Sequence, residues 1–163
     1  MSDKSPTHTD TAGRDINIPS TTRSIPIAML RARETMMAPL RHMLRRADVT
    51  EQQWRVLRVL AERGTMDPKD IARAASLLNP SLTRIMQILD KKGLITRENH
   101  PSDRRRILVG ITDDGVALLR AAAPESNAIF SRLEAKFGRD KMDQLLDLLN
   151  ALSEIDLETP DGS

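Results

Sequence analysis

The residues best suited to chemistry lie between Asn79 and Thr112. Thr83, Arg84 and Gln87 are spaced to share the outer side of one helix, and Arg104, Arg105 and Arg106 follow in a turn-rich run beside Asp103. A helix of that kind fits the major groove of DNA, where Arg pairs with guanine O6 and N7 and Gln with adenine N6 and N7. An arginine carried on a thin loop suits the minor groove, whose negative potential is strongest in A/T tracts. Ser81 stands near the helix start, where backbone N–H groups favour a phosphate. Three arginines on a loop are equally compatible with a solvated turn.

The elements that must hold these residues are legible around them. Asn79-Pro80-Ser81 predicts a helix start, with Asn79 as the cap and Pro80 where no N–H is needed. Gly93 is the matching stop. Leu82, Ile85, Met86 and Leu89 recur with helical spacing and form an apolar stripe, while Arg84, Gln87 and Lys91 point the other way. Beyond Gly93, the runs Leu94-Ile95-Thr96-Arg97 and 107–111 flank the polar run 98–106 and predict a hairpin with a cationic tip. Upstream, Asp67-Pro68 opens a short helix through Ala75, with Ile71, Ala74 and Ala75 inward, and Ser76-Leu77-Leu78 leads into the next helix. Two short capped helices followed by a hairpin spell a winged helix-turn-helix, here spanning residues 49–111.

The remaining chain predicts support for that unit. Residues 1–23 are polar and nearly free of apolar side chains, so they predict a disordered tail, and residues 157–163 a flexible end. A long helix from Ser24 to about Arg46 carries Ile27, Leu30, Met37, Leu40 and Leu44, with Pro39 expected to kink it. Thr50-Glu51-Gln52-Gln53 reads as a capping box opening a helix to about Glu62, with Trp54, Leu57, Val59, Leu60 and Ala61 available for burial, and Gly64 closing it. Thr112 caps a further helix to about Phe137, its apolar positions including Ile129 and Phe130 and interrupted by Pro124. A last helix runs from Gly138 to about Ile155 with a wide face of Met142, Leu145, Leu146, Leu148, Leu149 and Leu152. Those two helices expect either a second subunit or an intrachain bundle. The fold class expected is mainly α with a small β-hairpin wing, with residues 24–48 and 112–156 as its helical support.

Composition narrows the function classes. Residues 41–106 carry 15 Lys and Arg against 8 Asp and Glu, whereas residues 107–163 carry 5 against 11. A basic middle and an acidic end suit a polyanion-facing surface on a separate scaffold, or simply solvated helix faces. The chain has no cysteine, which excludes disulfides, Cys-based zinc sites and thiol redox sensing, and suits a cytoplasmic location. His8, His42 and His100 are too scattered for a metal site. No apolar run approaches a membrane span, and no Gly-rich phosphate loop or coherent carboxylate pair suggests an enzyme. No metal or cofactor is expected.

Pro80-Ser81-Leu82-Thr83-Arg84, Asp90, Lys92-Gly93-Leu94-Ile95-Thr96-Arg97, Asp103-Arg104-Arg105 and Leu108-x-x-Ile111-Thr112-x-x-Gly115 together resemble the MarR family of winged helix-turn-helix regulators. The resemblance covers about residues 25–155 and is most specific in the wing. Ala28-Met29-Leu30-Arg31-Ala32-Arg33-Glu34 and Thr50-Glu51-Gln52-Gln53-Trp54-Arg55-Val56-Leu57-Arg58 resemble, within that family, repressors of homoprotocatechuate (4-hydroxyphenylacetate) degradation. The tail and Pro124 stand outside the family pattern. The resemblance implies a homodimer, with residues 24–48 and 112–156 as its helical dimerisation region, on a palindromic double-stranded DNA operator, repressing an aromatic-compound catabolic operon and released by a small aromatic carboxylic acid. It implies that Arg105 enters the minor groove, that Asp103 holds Arg105, and that Ser81, Thr83 and Arg84 face the major groove. It also implies a pocket near Arg33, Met36, Met37 and Trp54. By chemistry alone, Arg33 is a salt-bridge partner of Glu34 or a fork for a ligand carboxylate, and Trp54 is core filling or a pocket wall. The alternatives to this reading are a winged-helix module that binds protein, which predicts salt-insensitive behaviour towards DNA, and a regulator of the same type with an unrelated effector.

Overall fold

The computed structural model describes residues 21–100 and 103–156, without the side chains of Thr22 and Arg104. Most of the expected tail, the Pro101-Ser102 hairpin tip and the expected flexible end at 157–163 lie outside the described residues. A 3-10 turn over Thr21–Arg23, within the expected tail, precedes α1 (Ile25–Arg46), α2 (Glu51–Arg63), α3 (Pro68–Ala74) and α4 (Asn79–Lys91). The antiparallel strands β1 (Ile95–His100) and β2 (Asp103–Ile111) follow, then α5 (Asp113–Phe137) and α6 (Arg139–Ser153). The protein is therefore mainly helical with a two-stranded wing, as expected.

The described residues divide within α1 into two units, the first ending at residue 35 and the second beginning at residue 36. In the first, the Ser24 carbonyl accepts the Ala28 N–H at 2.9 Å, and Ile25, Met29 and Leu30 are exposed. The second holds one core. Leu40, Met43 and Leu44 of α1 join Val56, Leu57 and Leu60 of α2, Ile71 of α3, the α4 stripe, Val109 of the wing, and Ala122 and Ile129 of α5. Both sequence caps that open this region are present. The Thr50 hydroxyl accepts the Gln53 N–H at 3.2 Å while the Gln53 side chain accepts the Thr50 N–H at 3.0 Å. The Asp67 carboxylate accepts the Lys69 N–H at 3.0 Å.

Four local expectations are corrected. Asn79 is not the cap of α4: Leu78 holds that position with extended backbone and no side-chain hydrogen bond, and Asn79 is already helical. Ala61 is exposed and Val56 buried in its place, because the buried row of α2 is Gln53, Val56, Leu57 and Leu60. In α3, Ala72 rather than Ala74 joins Ile71 and Ala75 in the core. Pro124 does not interrupt α5, since Ala122, Ser126 and Ile129 on either side of it are buried and packing holds the helix together across the lost hydrogen bond.

The junction between wing and α5 depends on a glycine. The Thr112 hydroxyl donates to the Gly93 carbonyl at 2.7 Å and accepts the Gly115 N–H at 3.1 Å, drawing the start of α5 onto the chain leaving α4. A Cβ on Gly115 would collide with the Leu94 carbonyl oxygen and stand 2.7 Å from Ile111 Cγ1. Gly115→Ala is expected to lower stability by about 1–3 kcal/mol, the usual cost of overpacking, as a reduced urea midpoint at unchanged slope.

Candidate nucleic-acid interface

Helix α4 is stopped by a two-bond reversal. Gly93, at φ +69°, donates to the Asp90 carbonyl at 2.8 Å and Leu94 donates to the Leu89 carbonyl at 3.0 Å, which satisfies the last carbonyls and turns the chain into the wing. With Leu82, Ile85, Met86 and Leu89 buried, the opposite side presents Ser81, Thr83, Arg84 and Gln87, all exposed. The Thr83 hydroxyl donates back to the Asn79 carbonyl at 3.3 Å. Arg84 makes no ion pair among the described residues, so its guanidinium is available to a ligand.

The wing is longer than a basic tip on short strands. Its ladder runs from Ile95–Ile111 to His100–Asp103, and Arg104, Arg105 and Arg106 lie within β2 rather than in the turn. A pair of 2.9 Å hydrogen bonds between Met66 and Val109 adds the segment before α3 as a third short edge. Those bonds anchor the wing to the helix-turn-helix.

Arg105 and Arg106 occupy different environments. The Arg105 N–H donates to Asp103 Oδ1 at 3.0 Å, so Asp103 restrains the backbone of Arg105 rather than its guanidinium. The exposed Arg105 guanidinium has no ion-pair partner among the described residues. Arg106 instead reaches Asp67 Oδ2, with Nη2 at 3.2 Å and Nε at 3.4 Å. That ion pair ties β2 to the cap of α3. Asp67 is held below the ordinary carboxylate range, first by the Lys69 N–H it accepts and then, against opposing desolvation, by the Arg106 guanidinium. A depressed carboxylate stabilises the fold above its unfolded pKa, and that contribution disappears as pH falls through the folded value. The stability gap between the protein and Asp67→Asn is therefore expected to be constant near neutrality and to close below about pH 4, as read by denaturant titration across pH.

A concave feature lies between α2 and α5. It has a volume of about 640 Å³ and is lined by Trp54, Arg58, Ala61, Glu62, Leu119, Ala123, Ser126, Asn127 and Phe130. Trp54 and Arg58 stand one helical turn apart on α2, so they face the same side. Of the four residues expected to form a ligand pocket, only Trp54 lines this groove. Arg33 is exposed in the first unit, Met36 is half-buried, and Met37 packs against the core. Arg58 is not among the residues expected to line a pocket, although its spacing from Trp54 carries the signal. Next to Trp54, Arg55 donates through Nη1 to the Ala75 carbonyl at 2.8 Å and to the Ser76 carbonyl at 3.5 Å, clamping the end of α3.

The MarR family model matches residues 49–107. The chain is 41% identical over 133 residues to the HTH-type transcriptional regulator FarR of Neisseria gonorrhoeae, covering 82% of this chain and 91% of that one. It is 40% identical over 126 residues to the homoprotocatechuate degradative operon repressor of Escherichia coli, covering 77% and 85%. The crystal structure of NadR in complex with 4-hydroxyphenylacetate superposes with a TM-score of 0.75 at 39% identity, covering 86% of this chain and all of that one.

Proposed function

Since this chain belongs to the MarR family of transcriptional regulators, we propose that it is a homodimeric, cytoplasmic repressor of an aromatic-compound catabolic operon. A small aromatic carboxylic acid releases it from a palindromic operator. The observation that carries the DNA half is the exposed row of Ser81, Thr83, Arg84 and Gln87 on a helix fixed by its own stop, beside a wing whose Arg105 is restrained at the backbone and, among the described residues, has no ion-pair partner for its guanidinium. Helix and wing supply a major-groove reader and a minor-groove reader joined by the Met66–Val109 hydrogen bonds.

Dimerisation is supported by α6, none of whose residues is buried although Leu146, Leu148, Leu149 and Leu152 are large and apolar. A second copy would cover that face and bring two copies of α4 to one operator, where half-sites are read about 34 Å apart. The α2/α5 groove is the better seat for the aromatic acid. It offers Trp54 and Phe130 for a ring, Arg58 for a carboxylate, and Ser126 and Asn127 for a ring hydroxyl. Arg33 is not required by this arrangement. Because α2 carries both Trp54 and the Arg55 clamp on α3, an acid that prefers a shifted α2 would bias the placement of α4 through its differential affinity alone.

The test is a salt-titrated shift assay on DNA flanking the protein's own gene, with and without 4-hydroxyphenylacetate. The expected result is affinity that falls steeply with salt and is lost on adding the acid. Salt-insensitive binding would favour a protein-interaction module, and indifference to aromatic acids would remove the sensor.

A further inference from the structure

Leu78 is 77% exposed, more than any other large apolar side chain among the described residues. The others lie in α1, α5 and α6 or, in the case of Ile155, just after α6, and the proposed second subunit would cover the α6 face. Leu78 belongs instead to the DNA-facing unit. It occupies the cap position of α4, where Ser, Thr, Asp or Asn would hydrogen-bond the free N–H groups and where leucine forms no such bond. The core does not need it, because the adjacent Leu77 already packs there. An apolar side chain therefore projects from the leading end of the recognition helix, three residues before the exposed Ser81, at a position that helix capping would fill with a polar residue.

The major-groove floor offers one apolar group, the C5-methyl of thymine, and the first residues of a recognition helix are the ones that reach base edges. We propose that Leu78 is a specificity residue that reads a thymine methyl in each half-site, complementing the polar readers Arg84 and Gln87. The assignment rests on the DNA-binding reading above, and it predicts a preference for thymine at the position facing the start of α4.

The test removes the methyl and nothing else. The protein is used to select its tightest duplex from a random library, and each thymine of that duplex is replaced in turn by deoxyuridine, which keeps all hydrogen-bonding atoms. Replacement at one symmetry-related position is expected to weaken binding about fourfold per half-site, the weight of one buried methyl group, while the other positions change little. Leu78→Ser should bind the unmodified duplex more weakly and be indifferent to deoxyuridine there, and Leu78→Met should retain the discrimination. An unchanged far-UV spectrum and dimer mass would show that Leu78→Ser acts at the DNA. Salt-sensitive, sequence-selective binding that ignores every deoxyuridine would overturn the role of Leu78 and leave the repressor reading standing, as would a Leu78→Ser variant with undiminished discrimination. Failure to enrich any sequence would overturn both.

Discussion

Arg105→Ala is expected to weaken operator binding about 100-fold at constant salt, with no change in dimer mass or thermal midpoint. One well-placed arginine contact with DNA contributes roughly 1–3 kcal/mol, and a two-fold complex carries two. Arg105 is suited to that effect because Asp103 restrains its backbone at 3.0 Å and no acid among the described residues neutralises its guanidinium. The neighbouring residue provides the contrast. Arg106→Ala removes the ion pair to Asp67, so its loss should appear mainly as lower stability and only secondarily as lower affinity. Anisotropy titrations over a range of salt separate the two, since losing a DNA-contacting cation also flattens the salt slope. Equal affinity and slope for Arg105→Ala would remove the wing from the interface.

Arg58→Gln should abolish release by 4-hydroxyphenylacetate while leaving operator affinity within about twofold. A charge-assisted hydrogen bond to a carboxylate contributes roughly 1.5–3 kcal/mol, so acid affinity should fall about 10- to 100-fold. The side chain shares one face of α2 with Trp54 and one groove with Phe130, Ser126 and Asn127. Among the described residues, no hydrogen bond or ion pair joins it to the exposed row of α4, so operator binding without the acid should persist. The ligand-induced rise in melting temperature, which measures binding to the native state directly, should vanish in Arg58→Gln and survive in Arg33→Gln. The reverse outcome would return the carboxylate to Arg33 and remove the α2/α5 groove as its seat.

Much of this protein is written locally. The capping box at Thr50, the Asp67-Pro68 start, the Gly93 stop and the alternation of buried and exposed positions in α4 were all legible, because each depends on residues within one or two turns of one another. The same holds for the hairpin and for the motifs that mark the family. Local signals fail where neighbours compete. Leu78 took the cap position assigned to Asn79, and Pro124 passed through a helix that packing holds on both sides.

What only the tertiary structure decided is the role of each charged side chain. Three consecutive arginines are equivalent as a string, yet Asp67, 39 residues before Arg106, pairs with that one. Arg58 and Arg33 are both arginines on apolar-faced helices, and only the packing of α5 against α2 puts Arg58 beside an aromatic groove. The physical reason is common to both cases. Periodicity and capping record backbone hydrogen bonding, which is local, whereas the partner of a long cationic side chain depends on which distant elements the buried core brings together.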